Sequence, residues 1–295
     1  MHLADGPIDL IIEANGPARA VEIAYRAALT RFEGLLDELC AELPALRSPP
    51  PPNVPRAFAS PVATRMEEAV TPYAAGTFIT PMAAVAGSVA DDILSHMLEA
   101  TGTALSRAYV NNGGDIALHL AAGEGFTVGL VDRPDRPRII ATCVIGAHDG
   151  IGGIATSGAP GRSFSLGIAD AVTVLAPTAA AADAAATIIA NAVDLNDDPR
   201  VTRRPAVDLQ PDSDLGDRLV TVAVAPLDAA AIDRALAKGA DVAAGLIAQG
   251  RIAGASLHLQ GETRIVGLPG VTQVAGAGSA PPFSHPLSRS PHASP

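Results

Sequence analysis

Between Tyr109 and Leu120 a strand-like run stops at Asn111-Asn112-Gly113-Gly114 and restarts as Asp115-Ile116-Ala117-Leu118-His119-Leu120. Two adjacent glycines permit backbone conformations that a Cβ opposes, and Asn and Gly are the residues favoured in tight hairpin turns. The stretch therefore calls for two strands folded back on one another. The same glycines also admit the close approach of another backbone or a ligand, with Asn111, Asn112 and Asp115 beside them as hydrogen-bonding groups. A plain hairpin turn and a ligand-contacting turn are both open on this stretch alone.

Forty residues later a second glycine-rich element appears, Gly150-Ile151-Gly152-Gly153-Ile154-Ala155-Thr156-Ser157-Gly158, followed by Gly161-Arg162-Ser163. Loops of this composition expose successive N–H groups that bind phosphate oxygens, and Arg162 could add a bidentate contact. The alternative is ordinary turn chemistry. There is no Walker A pattern, and no Gly-x-Gly-x-x-Gly follows a strand in a βαβ setting. Next comes a strand, Ala171–Leu175, and then an alanine-rich helix, Ala179–Val193, with Thr178 as its cap. Asp183 and Thr187 are four apart on that helix and project from one face. A carboxylate and a hydroxyl are hard oxygen ligands suited to Mg²⁺. An Asp complementing the helix dipole, with a solvent-facing Thr, is the alternative.

A core for this chain must be assembled almost without rings: hydrophobic residues make up 48% of the sequence, aromatic residues 3%, and Trp is absent. Helices and strands faced with Ala, Val, Leu and Ile approach one another closely. The net charge of −11, from 31 acidic and 20 basic residues, comes with no basic stripe and disfavours nucleic-acid binding. An anionic ligand needs backbone amides, an Arg or a metal ion. Cys40 and Cys143 are far apart in apolar surroundings and read as reduced core residues of a cytoplasmic protein. No signal peptide is visible. The longest apolar run, Phe78 to Ala90, is too short for a bilayer, which takes about 20 residues.

Periodicity places a buried strand at Ile8–Ile12 and a helical pattern from Ala18 to Leu46 with a break near Thr30. Ser48 to Pro55 carries five prolines and reads as an extended surface linker. A short amphipathic helix spans Ala63 to Val70. Thr80 and Pro81 start a helix that runs to about Ala100, with one nearly bare face at Ala83, Gly87 and Ala90. Asp91 lies near that face and needs a partner if buried. Phe126–Val131 and Arg138–Ile145 read as antiparallel strands, and 196–215 as irregular. A strand at Leu219–Val224, a helix at Asp228–Gln249 and strands at Ser256–Leu259 and Arg264–Val266 follow. Residues 270–295 read as a disordered tail. The fold class is α+β, with mixed or antiparallel sheets packed against Ala-rich helices in a single domain over 1–269. The segments Val172–Pro177 and Val220–Pro226 each precede an Ala-rich helix, so two related strand-turn-helix halves are one way to organise it.

The order of these motifs resembles the ApbE family, the FAD:protein FMN transferases, and most of all a sister family of ApbE-like proteins. Ala86-Gly87-Ser88-Val89-Ala90-Asp91 falls where those proteins have Lys-Gly-x-x-x-Asp. Val110-Asn111-Asn112-Gly113-Gly114-Asp115 resembles their Val-Asn-x-Gly-Gly-Asp, and Ala155-Thr156-Ser157-Gly158 their Ala-Thr-Ser-Gly. Ala182-Asp183-Ala184-Ala185-Ala186-Thr187 resembles Ala-Asp-Ala-x-Ala-Thr, whose Asp and Thr are metal ligands. The resemblance covers roughly residues 77–195. It implies an ApbE-like fold, with Mg²⁺ held by Asp183 and Thr187 against the pyrophosphate of FAD. Asn111, Asn112, Gly113, Gly114 and Asp115 then line the flavin-nucleotide site, while Thr156, Ser157, Gly158 and Arg162 meet the phosphates. FMN is passed to a hydroxyl of a client flavoprotein. Two family features are absent: its lysine is Ala86 here, and its His-x-x-Asp-Pro segment is replaced by Gly161–Asp170. Arg162, Ser163 and Ser165 are candidates for a rebuilt site. Three functions follow: an Mg²⁺-dependent enzyme acting on FAD by transfer or hydrolysis, a flavin-nucleotide-binding accessory protein of a redox or sulfur pathway, and an assembly protein whose glycines serve packing.

Overall fold

A computed structural model describes residues 1–51, 55–133, 138–161, 163–268 and 272–273. The chain begins with a hairpin of β1 (His2–Asp5) and β2 (Ile8–Asn15). It continues through α1 (Ala18–Phe32), α2 (Leu35–Ala41), α3 (Leu43–Leu46), α4 (Pro61–Val70) and α5 (Val85–Thr101) to a second hairpin, β3 (Arg107–Asn112) and β4 (Asp115–Leu120). A separate hairpin of β5 (Gly125–Val131) and β6 (Ile139–Gly146) follows. The second half starts with the hairpin of β7 (Gly153–Ser157) and β8 (Ala171–Ala176), then α6 (Ala179–Ala192), β9 (Val201–Pro205), α7 (Ala206–Leu209) and β10 (Leu219–Val224). It ends in α8 (Ala229–Ala248), the hairpin of β11 (Gly254–Leu259) and β12 (Glu262–Val266), and a two-residue strand, β13 (Thr272–Gln273).

One eight-stranded sheet in the order β1-β2-β3-β4-β7-β8-β11-β12 runs through both halves, and every pairing in it is antiparallel. The fold class read from sequence is therefore the observed one. Each half contributes a hairpin, helices and a second hairpin. That corrects the expected repeat of strand-turn-helix units. β8 is central in the sheet, whereas β10 pairs with β9 in a separate ribbon, so local similarity of the two segments does not give them equivalent places.

Helices cover one face of the sheet. Leu10, Ile12, Ala108, Val110 and Ala117 pack against Ala24, Ala28, Ile93 and Met97 of α1 and α5. Ala155, Val172, Val174, Ala255 and Leu257 pack against Ala182, Ala185, Ala186 and Ile189 of α6 and Ala235 of α8. The small side chains of α5 and α6 let these two helices lie against each other over the middle of the sheet. The β5–β6 hairpin, with β13 beside β6, covers the opposite face through Cys143 and Ile145 on Ile154 and Leu175.

The predicted long first helix is broken at Glu33-Gly34, where Gly34 is left-handed with φ +77°. Thr80 does not cap its helix. A short 3₁₀ turn, Pro81–Ala84, intervenes before α5, and the Thr80 hydroxyl donates to Asp214. The 196–215 segment is not irregular, since it holds β9 and α7. Of the Pro-rich stretch, 52–54 lie outside the described residues, as do 270–271 and 274–295 of the expected tail, whose residues Thr272–Gln273 form β13 instead of being disordered. Of the two cysteines expected in the core, Cys143 is buried but Cys40 is exposed. Among the described residues no helix is long and apolar enough to cross a membrane.

Candidate functional site

Gly113 and Gly114 form the two-residue loop of the β3–β4 hairpin, closed by the Asn112–Asp115 pair. Their φ angles, +63° and +119°, are those that a side chain resists, which is why two glycines stand here. Asn111 Oδ1 accepts from the Gly114 N–H at 2.8 Å. Asn112 turns inward instead. Its Nδ2 donates to the Ala86 carbonyl at 3.2 Å and its Oδ1 accepts from the Asp9 N–H at 3.4 Å, tying the hairpin to the start of α5 and to β2.

β4 and β7 are joined by only two pairs, Ile116–Ile154 and Ala117–Gly153. Beyond them the contact passes to a side chain, with Asp115 Oδ1 accepting from the Thr156 N–H at 3.1 Å. β4 begins at Asp115, directly after the hairpin loop, and β7 runs on past it to Ser157, so this end of the pairing lies in the middle of the sheet beside α5 and α6. Thr156 gives its N–H to Asp115, while its hydroxyl meets Thr173 Oγ1 at 2.9 Å. Ser157 ends β7, and Gly158 lies so close to Asp170 that a Cβ would be 2.5 Å from its carbonyl oxygen. The glycine-rich run is thus largely a strand rather than the exposed phosphate loop its composition suggests. Arg162 lies outside the described residues.

The starts of α5 and α6 clasp each other reciprocally. Asp91 of α5 accepts from Ala179 N–H (Oδ1, 3.0 Å) and Ala180 N–H (Oδ2, 2.9 Å) at the start of α6. Asp183 of α6 accepts from Gly87 N–H at the start of α5 (Oδ2, 3.0 Å). Each helix thereby has amide donors that its own turns leave unused satisfied by the other's carboxylate. Asp91→Ala is expected to destabilise the protein by about 2–4 kcal/mol, as two bonds to a buried carboxylate are lost together. Asp91→Asn, keeping one acceptor, is expected to lose less, and urea denaturation of both variants checks this.

Asp115 lies close enough to Asp183 for its charge to raise the proton affinity of Asp183. Burial, only partly opposed by the Thr156 N–H, pushes the Asp115 carboxyl up to about 7. Burial and then the Asp115 charge push Asp183 well above the usual carboxylate range against the N–H groups of Gly87 and Ala86, and Asp91 adds to the effect. Asp91 is raised by burial, opposed by the Ala180 and Ala179 amides and by Arg65. Thr187, half-buried, lies one turn beyond Asp183 on the same face of α6.

Of the residues singled out from sequence, Asp115, Thr156 and Asp183 are brought together. Asn111, Gly113 and Gly114 form the hairpin tip above them, and Asn112 is a strut between hairpin and helix. Among the described residues no group of three or more His, Cys, Asp or Glu is placed to hold a metal ion by itself. The donor set of two mutually repelling carboxylates and a Thr hydroxyl nevertheless suits Mg²⁺. That ion is commonly held by one or two carboxylates and completes its shell with water and substrate phosphates. One charged residue beside the clasp, Arg65 of α4, carries no sequence signal beyond being an Arg on an amphipathic helix.

The family described as AbpE bacteria matches this sequence over residues 1–265. The chain belongs to this ApbE-like family. Similar proteins include the UPF0280 protein MK0206 of Methanopyrus kandleri, 35% identical over 69% of this chain and 78% of that protein. A UPF0280 protein of Methanothermobacter thermautotrophicus is 37% identical over 41% of this chain and 45% of its own length, so the match spans about half of that relative. Among solved structures, Flavin Transferase ApbE from Vibrio cholerae superposes with a TM-score of 0.39 at 14% identity, covering 90% of this chain and 96% of that one. Pseudomonas stutzeri flavinyl transferase ApbE, apo form, gives 0.40 at 11% identity, covering 93% of each. These superpositions are loose.

Proposed function

We propose that this ApbE-like protein binds the pyrophosphate of a flavin dinucleotide, FAD, together with Mg²⁺, beside the Asp115–Asp183 pair, and transfers FMN to a hydroxyl of a client flavoprotein. The observation that carries the reading is the Asp115–Asp183 pair. Two carboxylates lie near each other, largely buried, where the central strands β4 and β7 end their pairing beside α6. Such an arrangement costs stability unless a cation compensates it.

Asp183 and Asp115, with the Thr187 hydroxyl, would hold the ion. When bound, it would neutralise the phosphate oxygens and stabilise attacking and leaving oxygens in a displacement at phosphorus. The chain's own part is to position the ligand. Asp183 is fixed by the Gly87 amide and Asp115 by the Thr156 amide, so neither carboxylate must be ordered on binding. The exposed hairpin tip at Gly113-Gly114 leaves room beside them. In the overall reaction FAD and a protein hydroxyl give the FMN phosphoester and AMP. A chain of net charge −11 has reason to take an anionic ligand only with its cation.

Incubation with FAD, Mg²⁺ and a candidate acceptor is expected to release AMP, read by chromatography, and to add FMN to the acceptor, read by intact mass. Asp183→Ala is expected to abolish both. A second reading, binding without transfer, is favoured by Ala86. Where the resemblance has a lysine, this chain offers only a backbone carbonyl, already bonded to Asn112. FAD-dependent stabilisation with no AMP would select that reading. A melting temperature unmoved by FAD plus Mg²⁺ would remove both.

A further inference from the structure

Among the described residues, several charged groups around the α5–α6 clasp have partners that fix them. Asp92, next to Asp91, is bound by Arg31 Nε at 2.6 Å. Glu67 of α4, almost fully buried, takes Arg56 Nε at 2.5 Å and the Arg56 N–H at 2.8 Å. Asp91 spends both carboxylate oxygens on α6 amides. Arg65 sits on α4, two residues before Glu67, where α4 packs against both α5 and α6. Its Nε is buried and has no hydrogen-bond partner in the protein, although the side chain as a whole is only half-buried. Its charge acts on Asp91, which in turn acts on Asp183. A second buried orphan, Ser88 Oγ, lies one turn before Asp91 on α5. A buried guanidinium N–H without an acceptor is costly, and folds rarely retain one that a carboxylate could have satisfied.

We infer that Arg65 is the phosphate-binding cation of this site: its guanidinium pairs with a pyrophosphate oxygen of the bound nucleotide, and the Ser88 hydroxyl completes the contact. This rests on the pyrophosphate reading above and names the residue that recognises the anion. The guanidinium is planar, permanently charged and weakly hydrated, which fits it for a phosphate in a partly buried place. The division of labour is then clear. Asp115, Asp183 and Thr187 hold the cation, and Arg65, from a different helix, takes phosphate charge that the cation leaves uncompensated.

The test compares binding of FAD, riboflavin and inorganic pyrophosphate, each with Mg²⁺, by calorimetry on the full chain. Arg65→Gln is expected to weaken FAD and pyrophosphate about 10- to 100-fold, the range for a lost hydrogen bond to a charged group. It should also flatten the salt dependence of FAD binding and leave riboflavin, which has no phosphate, unchanged. Arg65→Lys keeps the charge without the fork and is expected to recover part of the affinity; it also serves as the readout if the Gln variant fails to fold. Wild-type affinity for FAD in both variants, with Asp183→Ala inactive in binding, overturns the role of Arg65 and leaves the flavin site standing. If the wild-type chain binds pyrophosphate but not FAD, and Arg65→Gln binds neither, the flavin reading fails and the phosphate site stands. If the wild-type chain binds no pyrophosphate, the inference falls.

Discussion

Asp183→Asn is expected to act in opposite directions on function and stability. In the presence of FAD and Mg²⁺ it should weaken binding at least about 100-fold, beyond the effect typical of losing only an outer-shell partner of a metal. In the metal-free protein at pH 8 it should stabilise. The amide oxygen of Asn still accepts from Gly87, the amide NH₂ can donate to Asp115, and the repulsion between the two carboxylates is gone. The gain is about 1–2 kcal/mol once solvent screening of these partly exposed groups is allowed for, worth a few degrees in melting temperature for a chain of this size. The sign with pH follows from the raised proton affinities. Below pH about 4, folded and unfolded chains both hold these protons, and the full contribution to stability is present. As pH rises, the unfolded chain releases them first, and stability is lost as pH climbs through about 7, where Asp115 titrates in the fold. The wild-type protein in EDTA should therefore lose more stability between pH 5 and pH 8 than Asp183→Asn does. Thermal melts at the two pH values decide it. A variant less stable than the wild type at pH 8 would mean that the cap on Gly87 outweighs the repulsion, and undiminished Mg²⁺-dependent FAD binding would remove Asp183 from the site.

Such a residue, costly to the empty fold and needed for the ligand, is a form of the trade-off between stability and activity. Asp91 and Asp183 make the contrast within one clasp. Both carboxylates cap the opposite helix, but Asp91 uses both oxygens on amides and faces Arg65, whereas Asp183 faces another carboxylate. The first is expected to destabilise when removed, the second to stabilise when neutralised. A purely structural clasp would give the same sign at both positions.

Much of the element order is legible in the sequence because it rests on local rules. Thr178 caps α6 by accepting from the Ala181 N–H, as its position before an alanine run predicts. The strand–Asn-Asn-Gly-Gly–strand stretch is a hairpin, as its turn residues require. What is not legible depends on long-range partners. β9 carries Arg203-Arg204-Pro205 and has no fully buried side chain, so it lacks the alternation that marks a strand, and only pairing with β10 makes it one. Helical spacing puts Asp183 and Thr187 on one face but cannot say that Asp183 reaches Gly87, 96 residues earlier, or that Asp91 reaches Ala179, 88 residues later. Arg65 is marked by a missing partner, which only the packed structure can reveal.

The glycine-rich run yields the second large effect, on folding rather than binding. Gly153→Ala is expected to cost about 3 kcal/mol or more, at or beyond the upper end for overpacking a core position. A Cβ on Gly153 would lie 2.1 Å from Ala179 N, 2.2 Å from the Thr178 carbonyl carbon and 2.4 Å from Ala179 Cα. All three are backbone atoms at the start of α6, so no side chain can swing aside. The sheet and the helix must separate, and with them the amides that Asp91 caps. Typical total stabilities are only about 5–15 kcal/mol, so the variant should melt well below the wild type. Gly114→Ala is the control. Its site has open space around it, and the cost is the strain of a side chain at φ +119°, about 1 kcal/mol. If the run were instead a phosphate cradle, Gly153→Ala would keep its melting temperature and lose ligand. The glycine is needed because β7 lies directly beneath the first turn of α6, the helix that carries Asp183.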